Sequence, residues 1–280
     1  MRFAMCNELF EGRSLEETCA FLAGAGYEGV ELAPYTFAPQ GVEGVPPGEL
    51  ARVRRAAAAA GLEVVGLHWL LLGPEGVHLT SGDPGVRRRT ARYLEALVSC
   101  CGEIGGSILV LGSPRQRSLP PGTTRAEGLR RAAEALASAV AAAGSAGLRW
   151  ALEPLPAPDT DFLNTLDDCL ELDRLLGGGP ALGVQLDAKS LCAEAGEGRD
   201  PAEVVRAHAA SAARFAHVHA NDRNLAGPGE GDTPFGPLLG ALCAVGYDGW
   251  ISVEAFRAPQ GIATTARTAL QCLRAAAARA

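Results

Sequence analysis

The chain has 280 residues, 48% of them hydrophobic, which is enough for a large buried core. Its formal net charge of -7 and pI near 5.3 leave no basic face with which to grip nucleic acid or an anionic membrane. No apolar run reaches about 18 residues, so a membrane-spanning helix is excluded and a small-molecule partner fits best.

In chain order, short apolar runs alternate with longer helical stretches. RFAMCN (2–7) leads into SLEETCAFLAGAG (14–26), where Ser14 and Glu17 predict a capping box. GVELA (29–33) precedes PGELARVRRAAAAAG (47–61), and EVVGLHW (63–69) precedes PGVRRRTARYLEALVSCCGEIG (84–105). SILVLGS (107–113) is followed by TRAEGLRRAAEALASAVAAAG (124–144). RWALEPL (149–155) is followed by NTLDDCLELDRLLGG (164–178), with Asn164 or Thr165 as its cap. ALGVQLD (181–187) pairs with DPAEVVRAHAASA (200–212), RFAHVHA (214–220) with FGPLLGALCAVG (235–246), and WISVEAF (250–256) with the closing GIATTARTALQCLRAAAARA (261–280).

Apolar runs this continuous read as strands buried on both faces, hence parallel. Eight strand and helix units imply an α/β chain folded as a single-domain (β/α)8 TIM barrel over residues 1–280. An open doubly wound sheet would more often carry a GxGxxG turn after its first strand, and CNELFEGRS is unlike one. The eight cysteines, Cys6, Cys19, Cys100, Cys101, Cys169, Cys192, Cys243 and Cys272, form no CxxC pair. With no long apolar run in MRFAMCNELFEG, they read as reduced thiols in a cytoplasmic protein.

Sites in such barrels lie at the carboxyl ends of the strands. Glu153, Asp187, His219 and Glu254 end the fifth to eighth runs. A lone strand-terminal carboxylate is often a cap or an arginine's partner, but three converging carboxylates repel one another unless a cation lies between them. Three carboxylates and one imidazole suit Mn2+, Mg2+, Co2+ or Fe2+ better than a thiolate-rich structural zinc site. His217 shares the strand face of His219 one layer deeper, which suits a core or supporting role.

Five stretches carry a resemblance: GYEGVELAP (26–34), ALEPLPAPDTDFLNT (151–165), LDAKS (186–190), HVHAND with GPGEGD (217–232), and GYDGWISVEAF (246–256). Over essentially its whole length the chain resembles the sugar phosphate isomerase/epimerase superfamily. These xylose-isomerase-like barrels include ketose 3-epimerases, hydroxypyruvate isomerase, inosose dehydratase and endonuclease IV. The resemblance implies one divalent metal on Glu153, Asp187, His219 and Glu254, with Mn2+ the first choice and Mg2+, Co2+, Fe2+ or Zn2+ as alternatives. It also implies that Glu153 and Glu254 form an acid/base pair that isomerises or epimerises a small keto sugar or polyol through an enediolate. A sugar or cyclitol dehydratase on the same site, or a sugar-binding barrel without turnover, are the alternatives. Homo-oligomers are common among these relatives and are an expectation here.

The chain departs from the family pattern in two places. Where ketose 3-epimerases carry Glu-x-x-Asn-Arg-x-Glu, it has Glu153, Pro156, Ala157 and Asp159. Ser190 stands where a histidine often follows the strand-six Asp. Lys189, two residues after Asp187 and on its face if the strand continues, is a catalytic expectation or else a solvated loop lysine. His68, Asp159, Glu31, Asn7 and Arg223 are the expected substrate-pocket residues, with Arg223 and Asp222 lining the mouth or pairing with each other. The endonuclease branch is disfavoured by Ser190, by the lack of an Asp-x-His pair after HVHAND, and by the acidic charge.

Overall fold

Apolar runs of four to six residues form the strands, and glycine, proline or a capping side chain starts each helix. The computed structural model describes residues 1–280. The strands are β1 (Arg2–Cys6), β2 (Gly29–Leu32), β3 (Glu63–Leu67), β4 (Ile108–Leu111), β5 (Arg149–Leu152), β6 (Leu182–Asp187), β7 (Phe215–Ala220) and β8 (Trp250–Val253). They form one closed barrel in sequence order, and the paired strands run parallel, with Ala4 of β1 opposite both Gly29 and Ser252. The helices are α1 (Leu15–Ala25), α2 (Pro47–Ala59), α3 (Pro84–Ile104), α4 (Arg125–Ala146), α5 (Leu166–Leu175), α6 (Ala188–Ala195), α7 (Ala202–Ala207), α8 (Phe235–Ala244) and α9 (Ile262–Ala277). No helix is long and apolar enough to cross a membrane.

The caps follow the sequence. Ser14 and Glu17 form the reciprocal box at α1, and Thr165 with Asp168, rather than Asn164, caps α5 in the same way. The stretch after β6 departs from expectation. Asp187 turns its carboxylate onto the Ser190 N–H at 2.8 Å and starts α6 at once. Lys189 is therefore helical, and its placement on the strand face of Asp187 is corrected. The expected helix over 200–212 is instead α7 followed by a 3-10 segment, Ala209–Arg214.

The chain divides into two compact units. In the first (1–32, 55–65 and 185–280), β1 lies between β2 and β8, and the Tyr27 hydroxyl donates to the Ala266 carbonyl at 2.7 Å, tying β2 to α9. Arg2 stacks 3.9 Å over Trp250 and donates to both oxygens of Glu63, at 2.9 and 2.7 Å. In the second (33–54 and 66–184), Trp150 of β5 is fully buried and donates from Nε1 to the Ala139 carbonyl of α4 at 3.2 Å. Helices α3 and α4 pack together, with Arg87 donating to Glu134 at 3.1 and 3.3 Å. The cysteines are all free; burial pushes the thiol of Cys19 up to about 11 and that of Cys100 up to about 12, so both behave as small core residues.

Strands β3 and β4 meet where Gly66 faces Ile108, and a Cβ on Gly66 would lie 2.0 Å from the Ile108 carbonyl oxygen. Only backbone movement relieves that clash. Gly66→Ala is expected to cost about 2–3 kcal/mol and to lower the melting temperature by roughly 4–12 °C, as read by thermal unfolding; an unchanged melting temperature would show that the two strands do not meet this closely.

Candidate metal centre

Glu153, Asp187, His219 and Glu254 bring one donor atom each to within 4.8 Å of one another, and all four side chains are buried. Glu153 and Glu254 each follow the last residue of a strand. The Glu153 N–H donates to the Leu111 carbonyl at 3.2 Å and the Glu254 N–H to the Ala220 carbonyl at 3.1 Å, extending the ladders by one bond. Glu153 has room because residue 112 is glycine: a Cβ there would sit 1.9 Å from Glu153 Oε2. Asp187 does two jobs, capping α6 with Oδ1 and accepting from Asn221 Nδ2 on Oδ2 at 2.6 Å.

His219 is oriented from below. Glu31, on β2, is fully buried and divides its carboxylate between two imidazoles, with Oε2 2.7 Å from His217 Nε2 and Oε1 3.1 Å from His219 Nε2. The two rings meet edge to face, 5.1 Å apart. The other ring nitrogen of His219, Nδ1, faces Glu254 Oε2 at 3.5 Å. A carboxylate can only accept, so Nε2 carries the proton toward Glu31, and Nδ1 is the nitrogen turned to the carboxylates. Metal-binding histidines are usually held in this way, one nitrogen on a carboxylate and the other on the ion.

These buried groups shift one another's protonation. Burial raises the Glu31 carboxyl, but His217 and His219 outweigh it and hold it well below the ordinary range. Burial lowers His219, but Glu31 and then Glu254 hold it well above. Asp187 is raised by burial and by Glu254 beside it. The donor set fits a divalent ion: three carboxylates are crowded together and an imidazole nitrogen faces them.

The other expected residues take different places. Glu31 is directed to the two histidines rather than to a pocket, and His217 has the supporting role. Asn7 and His68 are buried directly after β1 and β3, whereas Asp159 is exposed on the loop after β5. Lys189 and Arg223 line a cavity of about 300 Å³ with Cys192 and Glu197, outside the four-residue group. The Asp222 carboxylate accepts from the N–H groups of Gly229, Gly231 and Thr233 at 2.8–3.2 Å, bracing the GPGEGD loop, while Arg223 lies 3.8 Å from Asp232.

Asn221, which the sequence places at the mouth of β7 with Asp222 and Arg223, lies against the cluster instead. It is 1% exposed, donates to Asp187 Oδ2 and, at 3.4 Å, to Glu254 Oε2, and accepts from the Lys189 N–H at 2.9 Å. Its signal was present: it follows His219 by two, the spacing that keeps residues on one face of a strand.

Residues 19–276 match the family described as xylose isomerase-like TIM barrel. The chain is 27% identical over 236 residues to a probable ketose 3-epimerase of Synechocystis sp., covering 82% of this chain and 75% of the relative. It is 28% identical over 188 residues to a ketose 3-epimerase of Arthrobacter globiformis, covering 65% of this chain and 61% of that one. A solved structure of D-psicose 3-epimerase with D-tagatose, from Clostridium cellulolyticum H10, superposes with a TM-score of 0.81 at 17% identity, covering 99% of both chains.

Glutamine at position 31 can accept from only one imidazole and turns its amide N–H toward the other. Glu31→Gln is expected to destabilise the fold by about 3 kcal/mol and to weaken Mn2+ binding about 10- to 100-fold, measured by denaturant unfolding and by competition titration. Binding as tight as the parent's would mean that Glu31 does not orient His219.

Proposed function

The chain belongs to the xylose isomerase-like TIM barrel family, and from that premise we propose that it is a metal-dependent epimerase or isomerase of a small ketose, working at the carboxyl ends of β5 to β8. The observation that carries this reading is the grouping of Glu153 and Glu254 with Asp187 and His219 in one buried cluster. Both curated relatives named above are ketose 3-epimerases, one of them given as probable, which favours a ketose among small keto compounds.

A divalent ion held by Glu153, Asp187, His219 and Glu254, Mn2+ first among the alternatives, would supply polarisation of the substrate carbonyl. The protein's own groups handle the proton. Glu153 and Glu254 come from β5 and β8, which are separated by β6 and β7 in the barrel order. In the proposed reaction one glutamate removes the proton on the carbon beside the carbonyl and the other returns one to the opposite face, which inverts that centre. Asn221 holds the Asp187 and Glu254 carboxylates in place through both steps. His68 and Asn7 are proposed to line the pocket, and Asp159 and Arg223 to meet the sugar at its rim. Pro156 and Ala157 stand where ketose 3-epimerases carry Asn and Arg, so the hydroxyl contacts of this chain's substrate differ from theirs. Lys189 is assigned to the rim with Arg223. The cytoplasm is the proposed location, where eight free cysteines remain thiols.

The test is metal analysis of protein purified without added metal, followed by a panel of ketoses and cyclitols, including D-tagatose, in deuterated water. The parent is expected to exchange the proton beside the carbonyl and to release an epimer of unchanged mass, and a chelator to abolish both. Glu153→Gln and Glu254→Gln are each expected to lose turnover by about 10²- to 10⁴-fold. Variants that exchange the proton as fast as the parent would refute the two-glutamate reading, and a product lighter by one water would make the protein a dehydratase.

A further inference from the structure

Arg117, on the loop between β4 and α4, has a fully buried guanidinium that the metal centre does not use directly. Its hydrogen bonds go to backbone. Nη1 donates to the Glu153 carbonyl at 2.6 Å and, more weakly, to the Leu111 carbonyl at 3.5 Å, while Nη2 donates to the Leu163 carbonyl at 3.1 Å. Nε is buried with no partner. Arginine keeps its charge in any protein interior, so this is a buried full charge whose hydrogen bonds all go to carbonyls, with the carboxylates of Glu153, Asp159 and Asp168 near enough to support it.

The three carbonyls belong to one knot around Glu153. Leu111 O also accepts from the Glu153 N–H at 3.2 Å, and Leu163 O from the Leu155 N–H at 3.1 Å. Leu163 holds φ at 57°, a left-handed conformation that a branched side chain seldom adopts without support. Strand β5 ends at Leu152, and Pro154 restricts the residue before it to extended backbone. Past the ladder, the Glu153 carbonyl is held by Arg117, and its carboxylate fits only into the space left by Gly112. The guanidinium thus grips the strand before Glu153, Glu153 itself, and the loop that returns to it.

We propose that Arg117 is a positioning residue, acting through the Glu153 backbone to aim that carboxylate at the metal centre and the substrate proton. The inference rests on the role proposed above for Glu153.

Lysine at 117 keeps the charge but loses the planar fork; glutamine keeps N–H donors and loses the charge. For Arg117→Lys and Arg117→Gln, the measurements are the visible absorption spectrum of the Co2+-loaded protein, the Co2+ affinity without substrate, and kcat and KM on the best ketose of the panel. Gly112→Ala, which displaces the Glu153 carboxylate directly, is the reference for the spectrum. Both Arg117 variants are expected to fold, to shift the Co2+ spectrum toward that of Gly112→Ala, to bind Co2+ about 10- to 100-fold more weakly, and to lose kcat by a similar factor with KM within threefold. A parent-like spectrum and kcat in both would overturn the inference while leaving the proposed function intact. Failure of both to fold would make Arg117 a structural pin and overturn it too. A parent that neither binds Co2+ nor turns over any ketose would refute the proposed function and this inference with it.

Discussion

The site depends on the way one buried carboxylate is shared. Glu31 has no solvent and faces an imidazole on each oxygen, so its charge is tolerable only while both rings remain there. That requirement ties β2 to β7 and leaves His219 a single productive orientation, with Nε2 down and Nδ1 up. At this depth the carboxylate decides which His219 nitrogen faces Glu254.

A second constraint lies one layer above. Asp187 and Glu254 would repel each other, and Asn221 stands between them with an amide that donates to both and accepts from the Lys189 N–H. An aspartate there would add another negative charge, and a leucine would take one donor from each carboxylate. Asp187 shows how economically the layers are joined: one oxygen starts α6 and the other faces Asn221. The same residue ends a strand, caps a helix and belongs to the buried four-residue cluster.

These features explain what was legible in the sequence. The barrel and the four residues of the centre announce themselves locally, because a polar residue ending a continuous apolar strand is conspicuous in a single run such as WALEP or VQLDAK. The Ser14 cap was equally plain. Contacts that depend on residues far apart in the chain were not. Glu31 looked like any other strand-end carboxylate until the fold set it against residues 186 and 188 positions away. Arg117 carries no local signal, since nothing near it in the chain says that its partners are the carbonyls of Leu111, Glu153 and Leu163. The helix after β6 was missed because AKSLCAEA is short and its start signal, Asp187, was already assigned to the metal. Lys189 was misplaced by the same omission.

Anomalous diffraction from crystals of the Mn2+-loaded protein tests the central claim most directly. One peak is predicted among the side-chain oxygens of Glu153, Asp187 and Glu254, at about 2.0–2.3 Å from each and from His219 Nδ1, with Nε2 of His219 still on Glu31. A metal bound through Nε2, with Glu31 released, or a peak lying elsewhere on the barrel, would contradict it.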